Sequence, residues 1–563
     1  MSKQSECIDD FLRKAKEDRE VYITDVRRSF DRIGTLAFHI HVRMYEGETE
    51  VFRMALSRWE NAEQKEFVAE YIRAFVFNLL STLGALRIVV YLDKKESELV
   101  RIAEGLREDF QTELAKTERT GYGKSLNVNE RIVAALFGGS REFSIEVRDL
   151  SEETEPAVTP SEPVGKPVFA LLPARAQKAF LLGVDVGGTD IKFAVSLDGK
   201  LVHCEELNWA PASFSCVEQL TEPVLEAAER LMEQFGNGRK WDGIGLSWPD
   251  VIIHNKIVGG ETTKTKGLRE NEDRDYEEQF AVLTGLCAEL GKFTVSGSAV
   301  SCCNDGPMAA FTDAVEMTAR GEDVSKGFIA YSLGTELGTG WVRADGSIPQ
   351  IPLEVYQSII DLGSRTARQY SAEDVRSCRS VNTLLPGTLQ KYTGQSGVFR
   401  LACKELPKRE PALYEEVLRK GLFRVSEDGA FIEVPTAPKD RRKECLEFFM
   451  EKAAGGESEV CRDIFRKIGE YIAVTWAENE YILHPAAKER TLFGRLVKRQ
   501  ECFDLIKEGA VSREPSLVIR NADAALAVTP LMRQLEGDPV FTVAQFAQAV
   551  GALHFACLGL EEY

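Results

Sequence analysis

Residues 183–192 read Gly183-Val184-Asp185-Val186-Gly187-Gly188-Thr189-Asp190-Ile191-Lys192. An apolar run from Phe180 to Val186 leads into the two glycines, and a second strand-like run, Ile191 to Ser196, leads out of them. The pattern predicts strand, tight turn and returning strand. Gly187 and Gly188 permit positive φ and leave no side chain in the path of an approaching anion. The turn's N–H groups, the Thr189 hydroxyl and the Lys192 ammonium are donors suited to phosphate oxygens, and Asp185 is placed to hold Mg²⁺ through water. An ordinary Gly-Gly hairpin shares this local pattern, so the stretch needs support from elsewhere in the chain.

That support lies downstream. Ser332-Leu333-Gly334-Thr335-Glu336-Leu337-Gly338-Thr339-Gly340 follows a second apolar strand, Phe328 to Leu333, and precedes Gly340 to Val342. Gly334, Thr335, Gly338 and Thr339 suit a second phosphate clamp, and two clamps facing across a cleft would hold a polyphosphate from both sides. Between them stands Cys303-Asn304-Asp305-Gly306-Pro307-Met308-Ala309-Ala310. Asn and Asp are preferred helix N-caps. A carboxylate at such a helix start also suits a general base that takes a proton from a hydroxyl during phosphoryl transfer. Both readings of Asn304 and Asp305 hold together.

The order of these pieces resembles the ROK family of sugar kinases and sugar-responsive repressors. Asp185 to Lys192 resembles its first phosphate motif, Gly243-Ile244-Gly245-Leu246-Ser247-Trp248-Pro249 its strand-and-loop, Asn304-Asp305-Gly306 its Asn-Asp motif, and Gly334 to Gly340 its second phosphate motif. Ile468 to Ala473 with His484-Pro485, then Phe493-Gly494-Arg495 and Gln548 to Ala552, are similar to its C-terminal pieces. The resemblance spans roughly residues 179–560. It implies an α/β protein with two ribonuclease-H-like lobes, of the actin-like ATPase type, around a cleft. It implies ATP and Mg²⁺ as cofactors, Asp305 as base, Asn304 as a sugar ligand and Gly494 beside the adenosine. Homodimers are common in the family.

Departures fall on the sugar side. Glu354-Val355-Tyr356-Gln357 stands where the family has Glu-x-Gly-His, so Glu354 is kept and Gln357 replaces His. Gln390, in Gly387-Thr388-Leu389-Gln390-Lys391-Tyr392, replaces a Glu that commonly touches the sugar. The family's zinc cluster has no counterpart, because only Cys378 and Cys403 lie in that region and none of the six His does. No zinc site is therefore expected. The expected function is ATP-dependent phosphorylation of a hexose or related sugar, with Glu354, Gln357 and Gln390 beside Asn304 as substrate residues. The alternatives are a catalytically altered sugar-sensing regulator of the same fold and an actin-like ATPase of other chemistry.

The totals agree with a globular enzyme. The chain has 563 residues, 44% hydrophobic and 28% charged, with a formal net charge of −19. Such acidity argues against a nucleic-acid partner, which would need clustered Lys and Arg. Twelve scattered Cys without a Cys-x-x-Cys pair suggest a reducing compartment. The N-terminus lacks a signal-peptide pattern and no run is long enough for a membrane helix, so a cytoplasmic location is expected. Residues 1–150 predict an α+β N-terminal domain with no recognisable motif and no basic recognition helix. Residues 151–178 open with an acidic, proline-rich run and predict a linker. Lobes are then expected over 179–303 and 304–544, with a solvated insertion near 395–465 and a closing helix over 545–563 returning to the first lobe.

Overall fold

The computed structural model describes residues 2–156, 168–259, 263–297, 299–365, 368–522, 527–536 and 538–560. Residues 157–167, in the middle of the expected linker, lie outside them.

The first glycine hairpin belongs to a five-stranded sheet. From edge to edge its strands are Lys200–Asn208, Asp190–Leu197, Phe180–Val186, Gly243–Trp248 and Val300–Asn304. The first three pair antiparallel, and the last two join parallel. In chain order this is third, second, first, fourth, fifth, the ribonuclease-H-like arrangement. Phe180, Leu181, Leu182 and Val184 are fully buried, as befits a central strand covered on both faces. The second glycine hairpin, Phe328–Leu333 with Leu337–Val342, begins a second sheet that continues in parallel through Glu489–Phe493 and Val518–Asn521. It repeats the first sheet's order without the third antiparallel strand. The chain is thus an α/β protein with two ribonuclease-H-like lobes.

Two helices lie between the sheets, Asp305–Ala319 and Val543–Ala556. Glycines let the layers approach. A Cβ on Gly183 or Gly245 would lie 2.0 or 1.8 Å from the carbonyl oxygens of Ala549 and Ala552 on the second helix. Gly551 likewise meets Thr312 of the first helix, and Gly340 of the second sheet meets the Gly306 carbonyl at 2.2 Å. Each sheet's backbone therefore packs on the backbone of its helix, and the two helices meet where the Thr312 side chain sits against Gly551.

The N-terminal residues build a four-stranded sheet, Thr49–Leu56, Leu36–Arg43, Arg87–Leu92 and Ser144–Asp149, covered by the helix Ala62–Thr82. From Phe67 onward that helix is buried on nearly every face, because its far side packs on the second lobe. One hydrophobic core runs through both units: the Tyr481 ring of the helix Glu459–Leu483 lies 5.8 Å from those of Phe52 and Phe75. A buried Arg27–Glu478 ion pair and Asn78, which donates to Glu478 Oε1 at 2.9 Å, cross the same boundary.

Several local expectations change. The stretch 277–290, whose spacing predicts one helix, is two, Tyr276–Thr284 and Leu286–Gly291, broken at Gly285. The amphipathic helix that the pattern predicts over 97–116 ends at Asp109. The tail of the expected linker is folded: Leu172–Ala176 is a helix, and Phe169 packs edge-on against Phe311 at 5.8 Å. The expected solvated insertion holds the helices Gly394–Arg409 and Arg442–Ala454, whose Val398, Ala402, Leu446 and Phe449 are buried; Pro438 to Lys443 within it is mainly exposed. Val300–Asn304 and Lys200–Asn208 were not legible as strands, the first being rich in Cys and Ser and the second charged and at a sheet edge.

Candidate active site

The fifth strand of the first sheet delivers Asn304 to the start of the helix Asp305–Ala319. Asn304 caps that helix through its Oδ1, which accepts from the Gly306 N–H at 2.9 Å, while its Nδ2 donates to the Asp250 carbonyl at 3.0 Å. Asp305 Oδ1 accepts from the same Gly306 N–H at 3.0 Å. The Asp305 side chain is open to a cavity yet deep within the protein. That depth raises its pKa above the ordinary range, against the pull of Lys264 and nearby backbone N–H groups.

The cavity has a volume of about 970 Å³. It brings together Asn304, Asp305, Gly334, Thr335, Gly338, Thr339, Glu354, Gln357 and Gln390. The second hairpin forms one wall. A Cβ on Gly334 would meet nothing within 4 Å, so the turn leaves room for an approaching group, although the Gly334 N–H donates to the Glu336 carbonyl at 3.2 Å; the buried Thr339 hydroxyl has no hydrogen-bond partner among the described residues. Open space beside an orphaned hydroxyl fits a phosphate oxygen.

The adjoining wall is anchored on the N-terminal unit. The N–H groups of Leu353 and Glu354 donate to the carbonyls of Thr82 and Ser81 at 3.0 and 2.9 Å. Glu354 Oε2 accepts from Gln357 Nε2 at 2.9 Å. Burial first, then the charges of Asp250 and Asp305, push Glu354 up to about 7, against hydrogen bonds from Tyr356 and Gln357. Ser81, Lys124, Ser125 and Asn129 of the N-terminal unit also line the cavity.

Gln390 lines the cavity and is tied at both ends. Its Oε1 accepts from the Val381 N–H at 2.8 Å, and its Nε2 donates to Glu336 Oε1 at 3.0 Å. Glu336, within the second glycine turn, is a site residue that the sequence reading passed over, as are Asp250 and Tyr356. Burial and the neighbouring Glu354 push Glu336 up to about 7, opposed by Gln390 and Lys391. A carboxylate inside a glycine turn was the available signal.

The first hairpin stands apart. Asp185, Gly187, Gly188, Thr189, Lys192 and Gly494 do not line this cavity. Gly187 N–H closes the turn on the Asp190 carbonyl at 2.8 Å, and a Cβ on Gly188 would meet nothing within 4 Å. Asp190 takes two of the expected phosphate donors: its Oδ2 accepts from the Thr189 hydroxyl at 3.0 Å and its Oδ1 pairs with the Lys192 ammonium. Asp185 joins the two halves. Burial pushes it up to about 6 against Ser247 and Lys192, and the charges of Asp305 and Asp190 add to the rise. A buried acid crowded by two others fits a divalent cation held through water, with Asp185 as the residue that would hold it. Gly494, with φ 101°, packs on the Leu333 backbone at the end of the second sheet's first strand.

Among the described residues no group of three or more His, Cys, Asp or Glu is placed to hold a metal ion directly. Among them, too, no helix is long and apolar enough to cross a membrane.

No family model and no curated protein matches the chain. Solved structures similar to it include a ROK family protein from Streptococcus pneumoniae in complex with sucrose, at 14% identity and TM-score 0.36, over 67% of this chain and 96% of that one. A ROK hexokinase from Thermus thermophilus is similar at 15% identity and TM-score 0.38, over 68% and 99% of the two chains. A hexokinase from Schistosoma mansoni complexed with glucose is similar at 13% identity and TM-score 0.38, over 80% and 99%. These are distant likenesses, and the fold rests on the strand order and pairing described above.

Proposed function

We propose that the protein transfers the γ-phosphoryl group of ATP to a hydroxyl of a hexose or related sugar, with Asp305 as general base. The observation that carries this reading is the position of Asp305. It begins the helix that packs on the second hairpin at Gly340, it acts electrostatically on Asp185 beside the first, and it opens into the cavity. A sugar held by Asn304, Glu354 and Gln357 would present its hydroxyl to Asp305, which takes the proton as the oxygen attacks the γ-phosphorus. The bond to the β-phosphate oxygen then breaks and ADP leaves. Thr339 would donate to the phosphates from one side, with Gly334 leaving room for them, and the Gly188 turn with Lys192 from the other. Asp185 would hold Mg²⁺ through water, and the ion would offset phosphate charge. ADP release over a panel of hexoses and hexosamines tests the reading. Release indifferent to every sugar would overturn it.

A second reading, a sugar-sensing regulator with altered catalysis, is favoured by one observation: a carboxylate sits in each glycine turn, Asp190 in the first and Glu336 in the second. Negative charge at both turns opposes phosphate binding. Calorimetry that finds sugar binding and no ATP binding would select this reading.

A further inference from the structure

Asp250, Asp305, Glu336 and Glu354 all line the cavity. Glu336 has no part in the chemistry above. Its Oε1 accepts from Gln390, whose amide is fixed by the Val381 N–H, so the Gln390 NH₂ must face Glu336. Its other oxygen, Oε2, is buried and accepts no hydrogen bond from any described residue. Glu354 lines the same cavity, and its charge acts on Glu336. Lys391 is near Glu336, yet its ammonium donates to the Ala372 carbonyl at 2.7 Å.

An enclosed carboxylate oxygen with no donor is costly, so the site is incomplete until a ligand supplies one. A sugar hydroxyl would supply a single donor and leave the paired negative charge. An N-acyl group would supply one N–H and add a carbonyl oxygen, itself an acceptor, facing two carboxylates. A primary ammonium supplies three donors and the opposite charge. We propose that Glu336 and Glu354 together receive the ammonium group of an amino sugar with a free amine, and that this group sets substrate preference. The inference rests on the sugar-binding reading above and names its substrate class.

The test is titration calorimetry on the full chain at about pH 7 with glucosamine, galactosamine and mannosamine, their N-acetyl forms and the parent hexoses. At least one free amine should bind about tenfold more tightly than its parent hexose and its N-acetyl form. Glu336→Gln should bring that ratio close to one. Parent or N-acetyl sugars that bind as tightly as every amine, or a preference that survives Glu336→Gln, would overturn the inference. If Glu336→Gln does not fold, as judged by its melting curve, the wild-type ranking decides alone. ADP release with neutral hexoses but no amine preference would sink this inference and leave the kinase reading standing. No binding of any sugar would sink both.

Discussion

The two glycine hairpins begin equivalent strands of the two sheets, but their surroundings differ. The donors of the first turn are held by its own residue Asp190, which takes Gly187, Thr189 and Lys192, while Trp209 donates to the Gly187 and Thr189 carbonyls. The second turn closes on itself only through the Gly334 N–H and the Glu336 carbonyl, 3.2 Å apart, and is held besides by distant chain. The N-terminus of the helix Gly394–Arg409 donates to it through the Gln395 N–H, at 2.9 Å from the Gly334 carbonyl, and Gln390 holds Glu336. A locally closed turn has a chemistry that neighbouring residues set. A turn held from elsewhere has a chemistry that the fold sets, and this is how a carboxylate in the second turn comes to lie near Glu354.

The most severe way to break the comparison is to remove the group on which both turns converge. Asp305→Asn should lower the rate of sugar-dependent ADP release roughly 10²- to 10⁴-fold with little change in melting temperature. The pH profile carries a second check. The base must be ionised and its pKa is raised, so kcat/KM should fall on acidification at a pH above the ordinary aspartate range. An Asp305→Asn enzyme as fast as wild type would refute the assigned base.

Lys192→Met tests the first turn alone. It removes one phosphate donor and should raise KM for ATP roughly tenfold or more, leaving sugar affinity within about twofold. An equal loss of sugar affinity would mean that the turns are not separate in function.

Glu336→Gln tests the second turn through stability. Glu336 titrates at about 7 in the folded protein against an ordinary 4.5, so the folded state binds its proton more tightly than the unfolded state. Below pH 4.5 both states are protonated and the group costs nothing. As pH rises towards 7 the folded state is progressively penalised. The ligand-free variant should therefore gain about 1–3 kcal/mol over wild type at pH 8 and little at pH 4.5, read from denaturant melts. An equal gain at both pH values would point to packing rather than charge.

The smallest effect is expected from Asp190→Asn. Releasing Thr189 and Lys192 from a carboxylate should tighten ATP binding about three- to tenfold by calorimetry. If ATP binds no better, the Asp190 pairing does not limit the first turn.

Much of the fold was legible because it is local. The buried run Phe180–Val186, the return at Ile191 and the second hairpin at Phe328 each follow from apolar patterning and glycine placement within a few residues. Asn304 reads as a helix cap from its own neighbours. Val300–Asn304 did not read as a strand, because its burial comes from pairing with Gly243–Trp248 and not from its own Ser and Cys composition. The N-terminal residues read as a separate domain because a core shared with a helix some 400 residues later leaves no local mark.

The sequence by itself determined the two hairpins, the capped helix between them and the presence of Asp185 and Asp305. Short-range periodicity and turn chemistry suffice for these. Only the tertiary structure decided which groups meet. Close glycine contacts, with backbone at Gly183, Gly245 and Gly340 and with the Thr312 side chain at Gly551, bring the layers close enough for Asp305 to act on Asp185. The end of the helix Ala62–Thr82 holds Glu354 in the cavity wall. Gln390 turns Glu336 towards the same space. Burial and charge proximity are properties of packing between distant segments, so the state of these carboxylates could not be read until the chain was folded.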